Sequence, residues 1–249
     1  MPHLAFHMSI ARDLANALRN PVVDADRGAY YLGSTGPDMH IMSRTDRISS
    51  HYFDLECIEG QDSRSSFFQT HGELKDATTL DGATGAFVAG YLTHLVIDEV
   101  WITDIYRPFF GPASSLRGSA RANVLDRILQ YEMDLQRRID RPAIEEILRA
   151  LAAAGPLRVS FMESEMLMRW RDVIVGLVSR PPTWHGFGRT ASRFLALAGV
   201  STDEQVDGFM RTLPSLLEET KAHVGSERID GFLNKANTVA VRTLEEYLE

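Results

Sequence analysis

The chain has 249 residues, 44% of them hydrophobic, with 18 glycines and 10 prolines, so it can bury a substantial core and lacks the composition of a long disordered tail. Its formal net charge of −8 opposes phosphate backbones and excludes general nucleic-acid binding unless a local patch or a metal supplies positive charge. A single cysteine, Cys57, excludes an intramolecular disulfide and agrees with a reducing, cytoplasmic setting.

Residues 3–19 carry Leu4, Phe6, Ile10, Leu14, Ala17 and Leu18 at helical spacing, with no basic leader or uninterrupted apolar run to mark a signal peptide. Asn20-Pro21 stops that helix, and residues 26–32 predict a second, short one. Residues 33–38, Gly-Ser-Thr-Gly-Pro-Asp, form a break. Residues 39–81 are the least regular stretch, and a long irregular stretch inside a compact domain is often functional. Asp81 or Thr84 then caps a strong helix running to about Tyr106. Its residues 82–102 are the most apolar in the chain, yet His94, Asp98 and Glu99 would be costly facing lipid, so it reads as a core helix and no transmembrane segment is expected.

Helices are predicted over 118–139, 142–153, 159–179, 186–198, 202–222 and 227–248, punctuated by Pro142, Gly155-Pro156 and Pro181-Pro182. No alternating strand run or repeat is found, so the fold class is all-α. The expected organisation is one helical domain over 1–249, with a metal-site half (1–112) and a helical elaboration (113–249). Apolar faces such as Leu213, Leu216 and Leu217 give the second half a means of forming a homodimer. Met162, Met166 and Met168 near Trp170 read as helix core or a partner-facing stripe, and His185 and His223 as structural or surface residues.

The polar residues of the apolar helix carry the chemical signal. His94 and Asp98 are one turn apart and share a face. An ionised Asp among Val88, Tyr91, Leu95, Ile97 and Trp101 is costly unless paired or bound to a cation, and imidazole with carboxylate is a zinc-ligand combination. Such a pair alone is more often a buried hydrogen-bonded couple. Asp38 in its tight turn, His51 beside Tyr52 and Phe53, and His7 on the first helix are each ordinary singly.

In order, however, the segments PHLAFH ending at His7, LGSTGPD ending at Asp38, SHYFD around His51 and GYLTHLVIDEVW around His94 and Asp98 resemble the zinc-dependent phospholipase C family, above all its shorter, unsecreted members, over roughly the first 110 residues. The resemblance implies a phospholipase C/P1-nuclease-like helical fold. It also implies that Asp38, His51, His94 and Asp98 ligate one zinc, that His7 ligates a neighbouring zinc bridged by Asp98, and that Asp38 activates the attacking water. The secreted members complete a trinuclear cluster with a processed N-terminal residue and with histidines and a glutamate after the helix. Here Met1 and Pro2 stand at the start, with His3 as the substitute, and Asp104 falls where the first of those histidines would be. Glu99, Asp104, Glu132 or Asp134 would supply carboxylates instead, making a harder site in which Mn or Fe competes with Zn. One to three ions are expected.

The expected activity is metal-assisted hydrolysis of a small-molecule or lipid phosphoester. A phosphatase or nuclease on the same scaffold, and a non-catalytic metal-binding helical module, are the alternatives. His40 and His71 are further ligands or ligand supports. Tyr31, Tyr52 and Trp101 are candidates to line a substrate pocket, and Arg44 and Arg47 could meet a phosphate, although a solvated loop is the commoner setting for both.

Overall fold

The computed structural model describes residues 3–55 and 60–249; Met1, Pro2 and Cys57 lie outside these. The described residues are all-α, with no strand beyond one isolated bridge between Val159 and Met162. The helices in chain order are α1 (Leu4–Leu18), α2 (Pro21–Ala25), α3 (Arg27–Gly33), α4 (His40–Ser43), α5 (Ile48–His51), α6 (Ser63–Thr70), α7 (Gly82–Trp101), α8 (Ala120–Arg138), α9 (Arg141–Ala153), α10 (Ser164–Val178), α11 (Phe187–Thr190), α12 (Ser192–Leu197), α13 (Asp203–Val224) and α14 (Ser226–Leu248). Short 3₁₀ turns cover Gly36–Met39, Gly72–Leu74, Ala77–Thr79 and Trp184–Gly186.

Side-chain caps explain half of these starts. Asn20 accepts from the Val22 amide and Pro21 occupies the first turn, so the residues that end α1 also begin α2. Asp81 accepts from the Thr84 amide at 3.0 Å and from its hydroxyl at 2.7 Å, fixing the start of α7. Thr202 and Gln205 form a capping box on α13. α1 has no such cap, because His3 at its N-cap makes no side-chain bond. The carboxylate of Asp134, on α8, supplies the missing acceptor: its Oδ1 lies 2.8 Å from the Ala5 amide and 3.1 Å from that of Phe6.

α7 is the axis of the molecule, buried on nearly every side by α3, α2, α14, α6 and α1. By length and composition the segment Gly82–Phe110 could cross a membrane, but 94% of its most apolar window lies inside the protein, as expected of a core helix. α3 and α7 cross at two glycines. A Cβ on Gly33 would lie 2.0 Å from the Phe87 carbonyl oxygen, and one on Gly90 would lie 2.0 Å from that of Tyr30, so only glycine permits this approach. α8 packs on α1 and α13, joining the second half of the chain to the first.

After Trp101 the helix does not continue as predicted. Ile102–Phe110 is π-helical, contains Pro108, and ends where the Gly111 amide bonds to Tyr106 O at 2.7 Å. The wider i→i+5 turn changes the phase of every side chain beyond Trp101. Residues 159–163 precede α10 rather than belonging to it, and the predicted helix 186–198 is divided into α11 and α12.

Candidate metal centre

Four separate segments deliver side chains to one buried point. α7 contributes His94 and Asp98. The His94 Nδ1 lies 2.9 Å from the Ser34 carbonyl, which can only accept, so Nδ1 carries a proton and Nε2 is the nitrogen turned towards the other donors. The close α3–α7 crossing is what brings the Ser34 carbonyl to it. His51 ends α5, where Tyr52 adopts the left-handed conformation with φ 53°. The Ser50 hydroxyl lies 2.9 Å from His51 Nδ1, and the Tyr91 hydroxyl donates to the Ser50 carbonyl, tying α5 to α7. Asp38 sits in the 3₁₀ turn that Pro37 pre-organises, its amide bonded to Thr35 O at 3.1 Å. Trp170 of α10 donates to the same carbonyl at 3.1 Å. His7 comes from α1, with its ring stacked on that of His94 at 3.9 Å.

The distances fit an ion better than hydrogen bonds. His51 Nε2 lies 3.4 Å from His94 Nε2, 3.4 Å from Asp98 Oδ2 and 3.5 Å from Asp38 Oδ1, and His94 Nε2 lies 3.5 Å from Asp98 Oδ2. One imidazole N–H cannot serve three partners, and these separations exceed the usual N–H···O length. A tetrahedral ion with bonds of about 2.0–2.1 Å has ligand–ligand edges of about 3.3–3.4 Å. The other carboxylate oxygen, Asp98 Oδ1, lies 3.4 Å from His7 Nε2. Asp98 Oδ1 and both His7 ring nitrogens are buried without a hydrogen-bond partner, a state that a cation between them would relieve. The residues present therefore fit a metal: two overlapping three-donor groups, Asp38–His51–His94 and His7–His94–Asp98, share His94, and Asp98 Oδ2 also lies 3.4 Å from His51 Nε2.

The electrostatics agree. Burial opposes ionisation of Asp38, but the bond to His51 and the charge on His94 hold its carboxyl well below the usual range. Asp98 is held low against burial by His94 and His7. Burial brings His51 down to about 4 and also lowers His7, while for His94 burial is outweighed by Asp98, Asp38 and the bond to Ser34 acting together, which raise it. The carboxylates thus stay ionised, as ligands must be.

All five residues given as ligands, His7, Asp38, His51, His94 and Asp98, converge. The additional candidates do not join them as donors. Asp104 is turned away by the π-helical segment and pairs with Lys235 of α14 at 2.8 Å. Glu132 pairs with Lys221 at 3.1 Å. Glu99 accepts from the Ser63 amide and hydroxyl and anchors α6. His71 meets the Tyr52 hydroxyl at 2.7 Å, and His3 packs edge-on against Tyr131. His40 supports rather than ligates: its Nδ1 meets Pro37 O at 3.0 Å and its ring lies edge-on to His51.

The pocket expected of Tyr31 and Trp101 is corrected. Both are fully buried core residues, and the Trp101 indole donates to Asp126. Tyr52 is only partly buried, in an aromatic cluster with Phe67 and His71. Asp134 holds α1 rather than donating to an ion. Arg47, far from being a solvated loop residue, directs an NH group to Asp98 Oδ2 at 3.2 Å. No family model, no curated protein and no solved structure matches this chain.

Proposed function

We propose that the protein is a metal-dependent hydrolase of a phosphoester, phospholipase C-like in its chemistry, with zinc among Asp38, His51, His94 and Asp98 and a second ion between Asp98 Oδ1 and His7. The observation that carries this reading is the 3.4–3.5 Å spacing of His51 Nε2, His94 Nε2 and Asp98 Oδ2 from one another, with Asp38 Oδ1 3.5 Å from His51 Nε2. Two imidazoles and two carboxylates suit zinc, and Mn or Fe competes for such a mixed site. A divalent ion held there supplies Lewis-acid chemistry, polarising the phosphoryl group and making water acidic enough to ionise near neutral pH. Ser34, through its carbonyl, and Ser50, through its hydroxyl, hold the His94 and His51 rings in orientation. Asp38, more exposed than the other donors at 8%, is the group placed to take the proton of the attacking water.

The test is elemental analysis of protein purified without added metal, in atoms per chain, beside turnover of a phosphodiester, a phosphomonoester, a short-chain phosphatidylcholine and single-stranded DNA. The expected result is at least one ion and phosphodiester or phospholipid turnover, with Asp98→Asn losing metal and activity together. Activity retained in Asp98→Asn refutes the mechanism.

A second reading, a metal-holding module without turnover, is favoured by one feature: Asp38, His51, His94 and Asp98 together offer as many protein donors as a closed structural zinc site uses. Cobalt-substituted protein separates the two, because an open position changes its visible spectrum when phosphate is added and a closed one does not.

A further inference from the structure

The centre is accessible from one side. The side chains of His7, His51, His94 and Asp98 are exposed by 3% or less, whereas those of Asp38 and Arg47 are exposed by 11% and 16%. A molecule reaching an ion held among the four donors therefore passes between Asp38 and Arg47. Resting on the hydrolase reading, we propose that Arg47 is the substrate-anchoring residue of this centre, its guanidinium gripping the phosphoryl oxyanion of the ester while the ion takes another oxygen of the same group.

Three observations support this. The guanidinium is fixed in place: one NH donates to the Phe53 carbonyl at 3.1 Å and the other lies 3.2 Å from Asp98 Oδ2. That oxygen is one of the four donors, so Arg47 adjoins the outward face of the ion position. The backbone that holds Arg47 is itself clamped, since Arg107 donates to Asp54 O at 3.3 Å and lies over the Phe53 ring. A cation held in place before the substrate arrives costs no reorganisation when charge develops on a phosphoryl group. Finally, a second cation lies nearby: Arg127 acts on both Arg47 and His3, more weakly on Arg47 than the carboxylates of Asp98 and Asp38 do. A phosphoryl group offers several non-ester oxygens, so a cation fixed beside the ion position can meet one of them while the ion takes another.

The competing role for Arg47 is to brace Asp98 as a ligand, and the two roles differ in what they bind. Zinc-loaded full-length wild type, Arg47→Lys and Arg47→Met are titrated with inorganic phosphate by calorimetry, with zinc per chain measured on the same samples. The expected result is undiminished zinc content, a loss of phosphate affinity of about tenfold or more in Arg47→Met, and partial recovery in Arg47→Lys. Equal phosphate affinity at full zinc content overturns the proposal. Loss of zinc from both variants also overturns it, because Arg47 then builds the metal site. A wild-type chain that takes up no zinc refutes the metal reading instead, and that result is in hand before any phosphate is added.

Discussion

Asp134 gives the sharpest test of how the second half of the chain supports the centre. Its Oδ1 is the shared acceptor for the Ala5 and Phe6 amides at the start of α1, with Arg138 3.8 Å from its other oxygen. Asp134→Ala leaves two buried amides without an acceptor and removes the cap of α1. At about 1–3 kcal/mol for an orphaned buried donor, a loss of about 2–3 kcal/mol is expected. Asp134→Asn keeps the oxygen and both bonds, so at pH 7.5 it should lie within about 1 kcal/mol of wild type. The two variants also separate on pH. Burial pushes the Asp134 carboxyl up to about 6, against the pull of Arg138 and the two amides. A raised carboxyl stabilises the fold fully below its unfolded value of 3.8 and loses that contribution as pH rises through about 6. Relative to Asp134→Asn, which cannot ionise, wild type should therefore gain about 1.4 kcal/mol between pH 7.5 and pH 5. Urea unfolding followed by circular dichroism at both pH values measures these differences. An asparagine variant as damaged as the alanine one, or a difference that does not change with pH, refutes the reasoning.

Two further predictions test the frame around the metal. Gly90→Ala puts a methyl group 2.0 Å from Tyr30 O, which forces α3 and α7 apart and moves the Ser34 carbonyl away from His94; the expected outcome is insoluble protein or a thermal midpoint lowered by more than about 10 °C, and a wild-type melting curve would show that the crossing yields easily. Ser50→Ala removes the partner of His51 Nδ1, and zinc affinity measured by competition with a chelator should fall by about tenfold with the fold intact.

The residues that proved legible in the sequence were those whose roles depend on short spacing. His94 and Asp98 share a face because a helical turn demands it, and Asp81 caps α7 through its own neighbour. Asn20-Pro21 was legible only as a stop, although the same pair is a helix start. The phase error at Asp104 has a different source: nothing in residues 102–110 announces i→i+5 bonding, so an acidic residue expected beside the centre ends up on Lys235. Arg47 and Asp134 were hard to place because their partners are distant in sequence, Asp98 for one and the α1 amides for the other. The Ser34 carbonyl had no sequence signal at all, since a backbone oxygen carries no residue identity. Tyr31 and Trp101 illustrate the converse, aromatic side chains near the ligands in sequence that pack into the core.

The packing of α14 along α7 has a consequence for assembly. Every candidate ligand precedes residue 99, yet the helix that carries two of them is packed by a segment starting at Ser226. Contacts so far apart along the chain close large loops, so a nascent polypeptide can already carry all five candidate ligands and still lack the helix that packs along α7. An ion taken up at such a site would then meet a shape that is already made instead of organising one.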